Sequence, residues 1–153
     1  LDEVLEEDYL QYRITSTRYL GYHISARGVP IVQPPGGHAI YIDARSFANH
    51  LQPADLPGQA VACELYLAGG IRSCEIGTVM FGRGLPGDDD FTPSPNDLVR
   101  LAIPRRVYTQ SHIDYVIEVI IEVLTNRQRI KPMRFVEAPE VLRHFTARFA
   151  PVG

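Results

Sequence analysis

Residues 98–112, LVRLAIPRRVYTQSH, constrain the fold of this chain more than any other stretch. Val99, Leu101 and Ile103 alternate with Arg100 and Ala102, the period-two pattern of a strand with one buried face. Pro104 has no N–H to give and stops the ladder. After a short basic turn at Arg105 and Arg106, either Thr109 or Ser111 is placed to cap a following helix. Arg100 therefore stands in mid-strand, opposite three aliphatic side chains. Held rigidly and facing a cleft, such an arginine is a clamp for a planar carboxylate. The same position also suits an arginine that pairs with an acidic neighbour or extends into solvent.

Strand and helix signals alternate on both sides of this stretch. Leu5, Tyr9, Tyr12, Tyr19 and His23 recur at helical spacing and predict a long first helix with that stripe inward. Asp2, Glu3, Glu6 and Glu7 suit its N-terminus, and Gly28 before Val29-Pro30 is a stop signal. Pro34-Pro35-Gly36-Gly37 marks a turn before a strand at His38–Asp43, with Ile40 and Ile42 on one face. His38 has no second ligand near it in sequence and is expected to be a hydrogen-bonded structural histidine rather than a ligand or base. A short helix is expected over Ala44–Leu51, and another from Pro57 through Glu64 to about Ala68, ended by Gly69-Gly70. In Ile71–Gly77 a strand alternates Ser73 and Glu75 against Cys74 and Ile76.

Residues 82–97 are rich in Gly, Pro and Asp and predict a surface loop. Asp88-Asp89-Asp90 lacks the alternating oxygen ligands and closing glutamate of a calcium loop, so solvated carboxylates are expected. Ser111–Arg129 is read as a helix: Ser111 and Asp114 approximate a capping box, and Ile113, Val116, Ile117, Ile120 and Leu124 share one face. Glu118 and Glu122 mark its wet side, with Arg127 and Arg129 near its end. An edge strand at Met133–Val136 and a closing segment at Val141–Phe149 complete an α/β order, α+β-like in its small size: about four strands in one sheet with helices packed on it.

At 153 residues, 45% hydrophobic and 22% charged, the chain has the size and composition of one globular domain. A net charge of -3 argues against nucleic-acid binding, and no apolar run is long enough to cross a bilayer. Nothing at the start reads as a signal peptide. Cys63 and Cys74 are too few for a disulfide framework and lack metal-ligand spacing, which favours a cytoplasmic setting. Leu1 already lies inside a helical pattern, without an initiating methionine, and Lys131 is the single lysine beside fourteen arginines. Both features lead us to expect a piece of something longer.

Several separated segments, taken in order, resemble one family. These are YLQYRI and RYLG in the first helix, GVPIVQPPGGHAIYIDAR, ACELYLAGGIRSCEIG, LVRLAIPRRVYTQSHIDYV and the terminal VLRHFTARF. Together they are similar to the C-terminal part of tryptophanase and tyrosine phenol-lyase, the aromatic amino-acid β-eliminating lyases. The resemblance implies the small domain of an aspartate-aminotransferase-like, fold-type-I enzyme, with a large domain lying outside residues 1–153. It implies pyridoxal phosphate held by a lysine of that large domain, potassium or a similar monovalent cation, and a homotetramer acting on an aromatic amino acid. Lys131 matches no family motif, so this chain is expected to be inactive alone and to hold no cofactor-binding residue of its own.

By the same resemblance, Arg100 is the substrate-carboxylate arginine, and Cys74 and Ile76 belong to the wall of the aromatic pocket. Tyrosine phenol-lyases place an arginine where this chain has Ile76, and two phenylalanines where it has His144 and Phe145. Both positions point to tryptophan over tyrosine, with His144 near the indole and Phe145 packing on the ring. Tyrosine phenol-lyase, another β-eliminating lyase and a free-standing non-catalytic domain are the alternatives.

Overall fold

The computed structural model describes residues 2–104 and 107–153; the expected basic turn at Arg105 and Arg106 lies outside the described residues. Its helices are α1 (Glu7–Ser25), α2 (Ala44–Phe47), α3 (Pro57–Gly69), α4 (Thr78–Phe81), α5 (Gln110–Thr125) and α6 (Arg143–Thr146). The strands are β1 (Ala39–Asp43), β2 (Cys74–Ile76), β3 (Leu98–Ala102), β4 (Met133–Glu137) and β5 (Arg148–Pro151). β3 is the middle of an antiparallel sheet in the order β1-β3-β2, while β4 and β5 form a separate two-stranded sheet. Among the described residues the expected sheet of about four strands is thus five strands in two sheets. The closing segment Val141–Phe149 holds α6 and the start of β5, which among the described residues pairs with β4 alone.

The alternation in β3 sorts its side chains as expected. Val99 and Leu101 are buried with Ile40 and Ile42 of β1, and this face packs on Leu20 and Ile24 of α1, Val61 and Leu65 of α3, and Ile113, Ile117 and Ile120 of α5. Each such side chain contributes about 1.5–3 kcal/mol through burial. Arg100 lies on the opposite face of the sheet, between Tyr41 of β1 and Cys74 of β2.

α1 ends near the predicted stop, with Gly28 at φ +85° in the left-handed region that L side chains avoid. Its inward stripe differs from the expected one. Thr17, Leu20, Gly21 and Ile24 are buried, whereas Leu5 is exposed outside the helix and only Tyr9 of the predicted set is buried. The tyrosines carry hydroxyls that need partners, so they sit at the rim: Tyr12 donates to the Tyr108 carbonyl (2.7 Å) and Tyr19 to Asp114 (2.8 Å). That second bond uses the carboxylate expected to cap α5 together with Ser111. Of the two expected caps it is Thr109 that starts the helix, in a reciprocal box with His112.

Three further expectations change. The helix expected over Ala44–Leu51 is a single turn, started by Asp43, whose side chain accepts from the Arg45 and Ser46 amides. His38 is exposed, and its ring makes no hydrogen bond among the described residues; only its backbone carbonyl is used, by the Ile103 amide. The loop at 82–97 is superficial over Asp88–Asp90, as expected, but its end turns inward and buries Ser94 and Asp97. Among the described residues no helix is long and apolar enough to cross a membrane.

Candidate active site

The open face of the three-stranded sheet gathers the first three candidate residues. Arg100 pairs across to Cys74, and Leu98 to Ile76, so Arg100, Cys74 and Ile76 project to the same side. All three are half-buried. Arg100 makes no hydrogen bond or ion pair among the described residues, and its Nε is buried without a partner. A guanidinium normally saturates its donors. The residue as a whole is only half-buried, and no described carboxylate pairs with it. An unpaired guanidinium of this kind has the donor geometry that suits a planar carboxylate.

Cys74 points its thiol at the Glu75 carbonyl (3.5 Å), a weak contact for a polarizable sulfur. Neither Cys74 nor Ile76 offers a strong donor to a phenolic oxygen.

His144 and Phe145 come from a different element. They occupy α6, a single turn entered through Leu142 at φ +55°, and their rings lie 3.9 Å apart between centroids. Phe145 is 74% exposed, so its ring packs on little of this chain. The structure joins the α6 pair to the sheet through α4, which follows β2 directly. Arg143 donates to the carbonyls of Val79 in α4 and of Gly82 and Gly84 in the segment that leaves it.

Sequence reasoning missed what holds α4. Glu75, between Cys74 and Ile76, faces inward instead of to solvent and is only 8% exposed. Its carboxylate accepts from the Val79 and Met80 amides at 3.2 Å each. Burial pushes its pKa up to about 7; the Asp97 charge adds to this, and the backbone hydrogen bonds oppose it. Asp97 accepts from the Thr78 amide (2.7 Å) and from Arg45 Nε (2.7 Å), while Arg45 also donates to the Ser94 and Pro95 carbonyls. The short apolar helix TVMF thus hangs from two buried carboxylates. The sequence signal was slight: a glutamate in an alternating strand, followed by Gly77 and a threonine.

The single lysine stands apart from this arrangement. Lys131 is exposed and lines a groove with Cys63, Tyr66, Ile71 and Met133, none of them on the Arg100 face. The described residues therefore place an unpartnered guanidinium beside Cys74 and Ile76, while the lysine lines a separate groove.

A family model described as beta-eliminating lyase matches residues 4–119. The chain belongs to the β-eliminating lyase family. Among its relatives, the tryptophanase of Hyphomonas neptunium is 53% identical over 149 residues, covering 97% of this chain and 32% of that protein. The tryptophanase of Salinibacter ruber is 52% identical over 151 residues, covering 99% of the chain and 32% of the relative. The tyrosine phenol-lyase of Intrasporangium calvum is 47% identical over 153 residues, covering all of the chain and again 32% of the relative. The chain thus spans about a third of the length of these lyases. Its mixed helix-and-strand architecture with small antiparallel sheets is a fold-type-I lyase element.

Proposed function

We propose that this β-eliminating lyase chain is the substrate-facing small domain of a pyridoxal-phosphate-dependent tryptophanase, which converts L-tryptophan to indole, pyruvate and ammonia. The observation that carries the reading is the unpartnered Arg100 guanidinium on the same open face as Cys74 and Ile76. A bidentate pair between Arg100 and the substrate carboxylate fixes two points of the amino acid and so orients its Cα–H bond. Cys74 and Ile76 present a wall suited to a flat apolar ring, and His144 and Phe145 supply its second side.

Pyridoxal phosphate, when bound, draws electron density from the amino acid's Cα and eases loss of its proton. The lone, remote Lys131 does not fit a cofactor-holding role, so the reading assigns the cofactor to a large domain outside this chain. The chain alone is therefore proposed to be inactive. A monovalent cation such as potassium, a homotetrameric assembly and a cytoplasmic location belong to the same proposal.

The test is to assay the full-length protein with tryptophan and tyrosine side by side. Indole and pyruvate from tryptophan, with far less phenol from tyrosine, supports the reading. The reverse preference makes it a tyrosine phenol-lyase. Turnover of neither overturns the tryptophanase reading and leaves a β-eliminating lyase of another substrate or a non-catalytic domain.

A further inference from the structure

We infer that Arg143 is a positioning residue for the aromatic end of the site: by gripping the carbonyl end of α4 it fixes the turn that carries His144 and Phe145 relative to the strand that carries Ile76. This rests on the proposed lyase reading for its meaning, and on the geometry alone for its mechanics.

α6 cannot orient itself. One helical turn is far below the length at which a helix sustains its own hydrogen bonds. It buries no residue of its own, and Val141, Leu142 and Phe145 around it are all exposed. It interrupts the connection from β4 to β5, which pair with each other and not with the three-stranded sheet. Without a tie to that sheet, the His144–Phe145 pair rides on the tip of an outlying hairpin.

Arg143 supplies the tie with all three guanidinium nitrogens: Nε to the Val79 carbonyl (3.0 Å), Nη2 to Gly82 (2.6 Å) and Nη1 to Gly84 (3.0 Å). Carbonyls at a helix end lack intrahelical partners, and a planar fork can meet several at once where a lysine ammonium cannot. The Phe135 ring, itself 5.0 Å from Phe149 across the hairpin, lies 5.6 Å from the guanidinium carbon and backs it. The other end of α4 is held by Glu75 and Asp97. A continuous path therefore runs from Ile76 through Gly77 and α4 to Arg143, with His144 and Phe145 next in the chain. The two walls of the aromatic pocket share one four-residue helix as their spacer.

The test uses the full-length lyase containing this chain, with Arg143→Lys and Arg143→Gln beside the parent. Two substrates are compared: L-tryptophan, whose ring reaches the pocket walls, and β-chloroalanine, whose side chain ends short of them. The expected result is a loss of about tenfold or more in kcat/KM on tryptophan, with β-chloroalanine held within about twofold. Hydrogen exchange gives a readout independent of turnover. The Phe145, Thr146 and Ala147 amides, bonded to the Leu142 and Arg143 carbonyls, should exchange about tenfold faster in both variants, while Val99 and Leu101 in β3 do not change. Equal losses on the two substrates, no loss on either, or unchanged exchange at α6 overturns the inference. If the parent turns over neither substrate, the proposed function fails, and the exchange measurement decides the mechanics alone.

Discussion

Replacing Glu75 by glutamine tests whether a buried carboxyl governs the stability of this chain. Glu75 is 8% exposed, and it accepts from the Val79 and Met80 amides. Its pKa is raised from 4.5 to about 7, chiefly by burial. Between those values the unfolded chain releases a proton that the folded chain keeps. Stability contributed by the neutral carboxyl is therefore complete below pH 4.5 and drains away as pH rises through 7. A shift of that size is worth about 3 kcal/mol. Glutamine stays neutral throughout, but its NH2 replaces one acceptor and faces an amide donor, which costs about 1 kcal/mol. Urea titrations at pH 5 to 8 should find Glu75→Gln slightly less stable than the parent at the acid end. At the alkaline end it should be more stable by about 2 kcal/mol. Other titrating groups cancel in the difference. A difference that stays constant across the range would refute the reasoning.

Three further outcomes follow from the packing and the pocket. In Gly77→Ala the new Cβ would lie 2.7 Å from the Asp97 Cα and 2.8 Å from a Glu75 oxygen, so backbone must move; a loss of about 1–3 kcal/mol in urea unfolding is expected, and an unchanged midpoint contradicts the crowding. Phe47→Ala empties a fully buried site beneath the sheet and should cost about 3–5 kcal/mol in the same assay. Ile76→Arg in the full-length protein places a donor on the open face and should move the ratio of kcat/KM values toward tyrosine by about tenfold; an unmoved ratio takes Ile76 out of the pocket wall.

Much of the architecture was legible because it rests on local rules. Alternation placed Val99 and Leu101 inward and Arg100 outward, Pro57 opened α3, and Gly28 closed the first helix region. The readings that failed were those in which polar atoms choose tertiary partners. The tyrosine stripe of α1 looked like a core face at helical spacing, yet the hydroxyls of Tyr12 and Tyr19 sought the Tyr108 carbonyl and Asp114. Asp114 likewise accepts from Tyr19 instead of completing a box with Ser111, and α5 starts at Thr109, the other expected cap.

The candidate site divides the same way. The common face of Arg100, Cys74 and Ile76 follows from strand register. The inward Glu75, its partnership with α4, and the Arg143 tether depend on residues far apart in sequence, for which a single chain carries no periodic signal. α4 itself is too short to announce itself by pattern.

The central claim is that Arg100 receives the substrate carboxylate, and a binding cycle on the full-length protein tests it most directly. The affinities of an unreactive aromatic amino acid and of the matching amine without its carboxylate are measured for the parent and for Arg100→Ala. The account predicts that the variant loses about 2–4 kcal/mol toward the amino acid and almost nothing toward the amine. Equal losses for both ligands, or none for either, would contradict it.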